Sequence, residues 1–299
     1  MKPILSPKEL ADAIGVSESS LKRWADSGKV RVSRTAGGHR RIHIAEAVRF
    51  IRETGSPVVR PDILGLPDMG AIQADLSRGD TPEEMLFNYL SVGDAPRARG
   101  LIMSLYLSGD GVAAIADGPI RNAMRRLGEL WEHDPAGIFI EHRATDMCIE
   151  AVRQLRLAIA MNDAGPIAVG GAPPGDTYAL PSLLAATVLA AEGFRAFNLG
   201  PQTPLDALAA AAEQQRVLLV WVSMTYVPSP VELERGISDL AARLGARGVK
   251  LAVGGQKHAT LTLPRADNVF VGHSLAELAA FARGLLAARP ADNGKPPAQ

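Results

Sequence analysis

One cysteine, Cys148, is all that the 299 residues contain. A single thiol closes no internal disulfide, so a disulfide-built scaffold is excluded and a reducing compartment is expected. A zinc centre of the usual kind needs clustered Cys and His, and the six histidines are scattered. No apolar run reaches the roughly 18 residues of a membrane-spanning helix, and no signal peptide opens the chain. A cytoplasmic, nucleoid-associated protein without a membrane partner is therefore expected. No G-x-S-x-G elbow surrounds Ser223, which removes the plainest hydrolase reading. Neither catalytic residues nor metal ligands are assigned, and the chain is not expected to be an enzyme.

Net charge is also missing: 32 Lys and Arg balance 32 Asp and Glu. The balance hides an asymmetry. Residues 1–60 hold 12 basic against 6 acidic residues, which leaves 20 against 26 for the remainder. A basic head on an acidic body confines any polyanion contact to the head.

What is present begins with helix punctuation. Ser6-Pro7-Lys8-Glu9 reads as a capping box with Pro at the first helical position. That helix runs to Ile14 and stops at Gly15. Ser17 caps a second helix over 18–26, with Leu21 and Trp24 on its inner face. Val30 and Val32 are expected to pair with Arg41-Ile42 in a hairpin turned by Gly37-Gly38. A third helix spans 44–52. The order is helix-turn-helix and then a basic wing. In such a motif Ser19, Ser20, Lys22 and Arg23 face the major groove. Thr35, His39, Arg40 and Arg41 supply wing donors for phosphates or minor-groove edges. Double-stranded DNA, a promoter operator, is the first candidate partner.

Composition divides the rest. Residues 1–54 form the DNA-binding domain, and 55–70, rich in Pro and Gly, a linker. Residues 71–162 follow helical spacing and are expected as a four-helix bundle. In 163–288 apolar strands alternate with helices, which argues for a Rossmann-like, doubly wound parallel sheet. Residues 289–299 read as a disordered tail. The fold class is multidomain α and α/β.

The head resembles the MerR family of bacterial regulators in Leu5-Ser6-Pro7-Lys8-Glu9-Leu10-Ala11, in Ser20-Leu21-Lys22-Arg23-Trp24 and in Gly37-Gly38-His39-Arg40-Arg41. That resemblance implies binding to pseudo-palindromic promoter sites as a homo-oligomer, a dimer or tetramer. The long dimerising helix common in the family is replaced by the linker, so self-association is expected downstream. Further on, Trp131, nine intervening residues and then Glu141-His142 resemble the bundle that covers the upper face of cobalamin. Asp176, Ser223, Gly254 and Gly255 stand at strand ends where a cobalamin-binding domain has its motifs. The three parts together resemble the CarH and CarA group of light-sensing, cobalamin-dependent repressors. The resemblance implies that Trp131 and Glu141 meet the adenosyl group, that His142 approaches cobalt, and that the glycines let a nucleotide tail pass.

The chain departs from that group's D-x-H-x-x-G motif. It reads Asp176-Thr177-Tyr178-Ala179-Leu180-Pro181, with Tyr178 in the place of the lower-ligand His. A neutral phenol is a poor cobalt ligand. Glu132 follows Trp131, and His133, one place further, is turned by about 100° on a helix, so no cobalt-capping role carries over to it. Three outcomes stay open. Adenosylcobalamin binds without a lower His ligand; another tetrapyrrole such as haem takes the site, since Tyr can ligate haem iron; or the body binds nothing and serves oligomerisation. The function expected is a DNA-binding transcription regulator, a repressor, governed by this body. A corrinoid enzyme subunit is the weaker alternative, because a DNA-binding head has no place in one.

Overall fold

A computed structural model describes residues 1–72, 75, 79–131, 135–160 and 162–288, leaving out the side chains of 130, 131 and 135. The expected tail, 289–299, and His133 lie outside the described residues.

The head opens with strand β1 (Ile4–Leu5), helix α1 (Pro7–Ile14) and helix α2 (Glu18–Asp26). The Ser6/Glu9 capping box starts α1, and Gly15 ends it in the left-handed region at φ 72°. Strands β2 (Ser33–Arg34) and β3 (Arg40–His43) and helix α3 (Ile44–Thr54) complete it. The sheet order is β1-β3-β2, all antiparallel. The hairpin therefore lies three residues further along than Val30, which is buried in the head core instead. Two apolar residues in sequence suggested a strand; packing took one of them for the core.

Glu46 is buried at the first turn of α3. Its carboxylate accepts the Arg31 N–H at 2.7 Å and the Arg49 Nε–H at 2.8 Å. Burial pushes this carboxyl up, but the Arg49 and Arg31 hydrogen bonds outweigh it and hold it below its ordinary value. The unfolded chain thus binds the proton more tightly than the folded one. The stabilisation is full above the unfolded value near 4.5 and fades as pH falls through the folded value. Glu46→Gln should cost about 1–3 kcal/mol at neutral pH. It should also flatten the loss of stability on acidification, as read by urea midpoints at pH 7 and about pH 3.

Between head and sheet lie α4 (Asp68–Ala71), α5 (Pro82–Val92), α6 (Ala95–Leu107), α7 (Val112–Ile115), a π-helical turn (Ala116–Ile120), α8 (Arg121–Trp131) and α9 (Pro135–Ala158). The π turn carries Pro119, whose missing N–H breaks the regular ladder between α7 and α8. The wider turn brings out Asp117, to which the last elements return. Residues 55–70, expected as a linker, are packed: Leu64 and Leu66 are buried in the core that head and bundle share.

The body is a five-stranded parallel sheet in the order β5-β4-β6-β7-β8. Its strands are β4 (Ile167–Gly171), β5 (Arg195–Asn198), β6 (Val217–Ser223), β7 (Lys250–Gly254) and β8 (Val269–Val271). Helices α10 (Ala179–Ala191) and α13 (Leu275–Ala287) cover one face, and α11 (Leu205–Gln214) and α12 (Pro230–Gly245) the other. Leu180, Leu184 and Val188 of α10 join the bundle core, so the bundle lies on the α10/α13 layer. Asp117 fixes it there. Its carboxylate accepts the N–H groups of Leu275 and Ala276 at 3.1 and 2.8 Å, at the N-terminus of α13. A carboxylate there meets orphan donors and the positive end of the helix.

Candidate functional site

The head's exposed chemistry is built on α2. Ser17 accepts the Ser20 N–H at 3.2 Å, and its hydroxyl lies 2.9 Å from those of Ser19 and Ser20. Fully buried Leu21 and the Trp24 ring, 5.3 Å from Phe50, anchor the inner face. That leaves Ser19, Lys22 and Arg23 exposed. Arg23 donates to the Ser20 hydroxyl at 3.3 Å, and Lys22 pairs with Glu18 at 2.8 Å. Both cations are held out along the helix.

The wing closes on itself. Thr35 donates its N–H to the His39 carbonyl at 3.0 Å, its hydroxyl accepts the His39 N–H at 3.2 Å, and Gly38 turns at φ 79°. Thr35 therefore shapes the turn, while the His39 ring stays exposed. Register places Arg34 opposite Arg40 and Ser33 opposite Arg41. Opposed residues of an antiparallel pair share a face. Arg40, expected as a free donor, is instead drawn onto Asp26 at the end of α2, with only a fifth of its side chain exposed. Arg34 was missed by motif reading, and its exposed side chain is a candidate wing cation. Strand alternation beside Arg40 and Arg41 was the available signal.

Of the second group of expected residues, Asp176, Tyr178, Ser223, Gly254 and Gly255 lie at the carboxyl edge of the sheet, while Trp131, Glu141 and His142 are on the bundle helices. Asp176, fully buried, accepts N–H groups from Tyr178 at 3.0 Å, Thr225 at 2.6 Å and Tyr226 at 3.1 Å. Its carboxylate thus joins the loop after β4 to the loop after β6, across the switch point where such sheets take ligands. Tyr178 is nearly half exposed. Ser223 is buried beside Gly254 in register. A Cβ on Gly255, which sits at φ 106°, would meet the Met224 carbonyl oxygen at 2.4 Å; one on Gly254 would lie 3.0 Å from the Gly272 carbonyl oxygen. These glycines make room for the protein's own backbone. On the bundle, Glu141 accepts from the Thr145 hydroxyl at 2.9 Å and lies 3.5 Å from the exposed His142 ring. Trp131 ends α8, and its side chain lies outside the described residues.

The space under Ser223 is filled. On the same face of β6, the buried Trp221 ring lies so close to Gly170 that a Cβ there would be 2.1 Å away. The indole N–H donates to Ser182 at 3.1 Å, and Ser182 donates to Asn198 at 2.8 Å. Sequence reading also missed His258 and His273, whose rings meet at 2.9 Å beyond β7 and β8. Among the described residues, no group of three or more His, Cys, Asp or Glu is placed to hold a metal ion. At this edge Tyr178 offers a phenol where the resembled motif has an imidazole, Asp176 accepts from three backbone donors, and the Trp221 indole occupies the interior beside β4.

The chain is similar to the HTH-type transcriptional repressor CarA of Myxococcus xanthus. Identity is 24% over 237 residues, which span 78% of this chain and 80% of CarA. No family model matches the chain. Among solved structures, the monomethylamine corrinoid protein of Methanosarcina barkeri aligns at TM-score 0.49 and 19% identity, over 67% of this chain and 96% of that one. A cobalamin-binding protein of Desulfitobacterium hafniense DCB-2 aligns at TM-score 0.33 and 16% identity, over 67% and 96%. No helix among the described residues is long and apolar enough to cross a membrane.

Proposed function

We propose that the chain is a DNA-binding transcription regulator, a repressor, that grips a promoter operator as a homo-oligomer and uses its body to assemble. One observation carries the reading. The exposed side of a capped, well-anchored α2 presents Ser19, Lys22 and Arg23 beside a wing with free cations, on a head that is basic while the body is acidic. Similarity to a named repressor supports it. Arg23 and Ser19 take base edges, Lys22 and Ser20 the flanking phosphates, and Arg34, Arg41 and His39 the backbone beside the wing.

Arg23→Ala should weaken operator binding by about 1–3 kcal/mol and relax sequence preference. Arg34→Ala should instead weaken all sequences alike and reduce the salt slope by about 1. Fluorescence anisotropy with a duplex selected from a random pool measures both. Unchanged affinity in the two variants overturns the reading.

A second reading makes the body a sensor, either of adenosylcobalamin held without a protein ligand below or of another tetrapyrrole such as haem. The exposed rings of Tyr178 and Tyr226 on the carboxyl edge favour it, as do Ile138 and Phe139 just ahead of Glu141. An absorption spectrum after mixing in the dark and desalting decides it: retained colour supports the sensor, and none leaves assembly.

A further inference from the structure

We infer that the head is fixed to the helical bundle, that Arg52 positions it, and that one rigid spacing between operator half-sites follows. This rests on the proposed DNA-binding reading.

Arg52 is in the last turn of α3. Its guanidinium donates to the carbonyls of Asp110 at 2.9 Å and Gly109 at 3.2 Å, and it lies 3.9 Å from the centre of the Tyr106 ring. These carbonyls sit just past the C-terminus of α6, where unpaired oxygens and the negative end of the helix favour a cation. A forked, planar guanidinium fills the place in one orientation; an ammonium would not.

The connecting segment has no slack either. The N–H groups of Val59 and Arg60 both donate to the Ala13 carbonyl, at 2.9 and 3.1 Å. The Lys2 N–H donates to the Leu64 carbonyl at 3.2 Å. A Cβ on Gly65 would lie 2.4 Å from the Lys2 backbone nitrogen, so the two strands of chain touch there. A flexible tether of about 15 residues would wander by roughly 20 Å, several base pairs of DNA. A head held as this one is cannot follow such shifts. Two heads on a two-fold assembly then meet half-sites only at the separation and helical phase that the bodies dictate.

The test is selection from a random-sequence duplex pool with the full chain and with Arg52→Ala, followed by titration of the recovered sites. Wild type should recover paired half-sites at one spacing. Moving the halves apart by about five base pairs, half a turn, should cost it about tenfold or more in affinity. Arg52→Ala should recover a spread of spacings at unchanged affinity for a single half-site. Tyr106→Leu, which removes only the ring under the guanidinium, should broaden the spacing less. Amide exchange at Val59 and Arg60 should be slow in wild type and faster in Arg52→Ala. A single unpaired half-site, a broad spread in wild type, or an equally sharp spacing in Arg52→Ala overturns the inference and leaves DNA binding standing. No enrichment by wild type overturns the DNA reading itself, and this inference with it.

Discussion

Asp176→Ala is expected to cost about 3–5 kcal/mol, because it would strand three backbone donors at once. The carboxylate is fully buried and accepts from Tyr178, Thr225 and Tyr226. A stranded buried N–H costs about 1–3 kcal/mol, and rearrangement of two loops near solvent recovers part of that for three. Asp176→Asn should cost less, since its amide oxygen still accepts while its NH2 faces a donor. Urea unfolding followed by tryptophan fluorescence gives both values. A loss under about 0.5 kcal/mol for Asp176→Ala, the range of ordinary surface changes, sinks the loop-joining role. Either outcome is independent of any corrinoid, so the experiment separates a structural carboxylate from one kept to orient a ligand.

The contrast shows what this sequence discloses. The elements are legible because their causes are local. Ser6, Ser17 and Gly15 mark helix ends by hydrogen bonds within a few residues, and the strands of the body announce themselves by apolar runs between helical stretches. Asp176 is different. Two of its three partners are N–H groups 49 and 50 residues further along, and a backbone donor has no side-chain signature. The same reason hid the fate of Arg40, whose partner Asp26 lies 14 residues back on another element. It also hid the packing of residues 55–70. Pro and Gly there read as looseness, yet Gly65 is required by a backbone contact and Leu64 and Leu66 by the core. Motif spacing singled out Asp176, Tyr178, Ser223, Gly254 and Gly255, which the fold places at one sheet edge, without saying what each touches.

Trp221→Ala is the second large effect. The ring is only 2% exposed and packs within the cluster of Ala168, Ala185, Leu219 and Leu278 between the sheet and α10/α13. Truncating a buried tryptophan costs about 3–5 kcal/mol through lost transfer energy and the cavity left behind. Close packing against Gly170 means that the backbone of β4 must move if the space is to collapse. Strands bonded on both sides move little, so the cost should fall at the upper end of that range. Trp221→Phe keeps much of the volume and loses the N–H to Ser182; it should cost about 1–2 kcal/mol. Differential scanning calorimetry of the two variants measures the split between shape and hydrogen bond. A similar loss for both would mean that the indole N–H dominates, and a small loss for both would mean that the interior beside β4 is soft enough to admit a ligand group after all. The predicted order, Ala well below Phe, is what an interior already filled by the chain's own side chain requires.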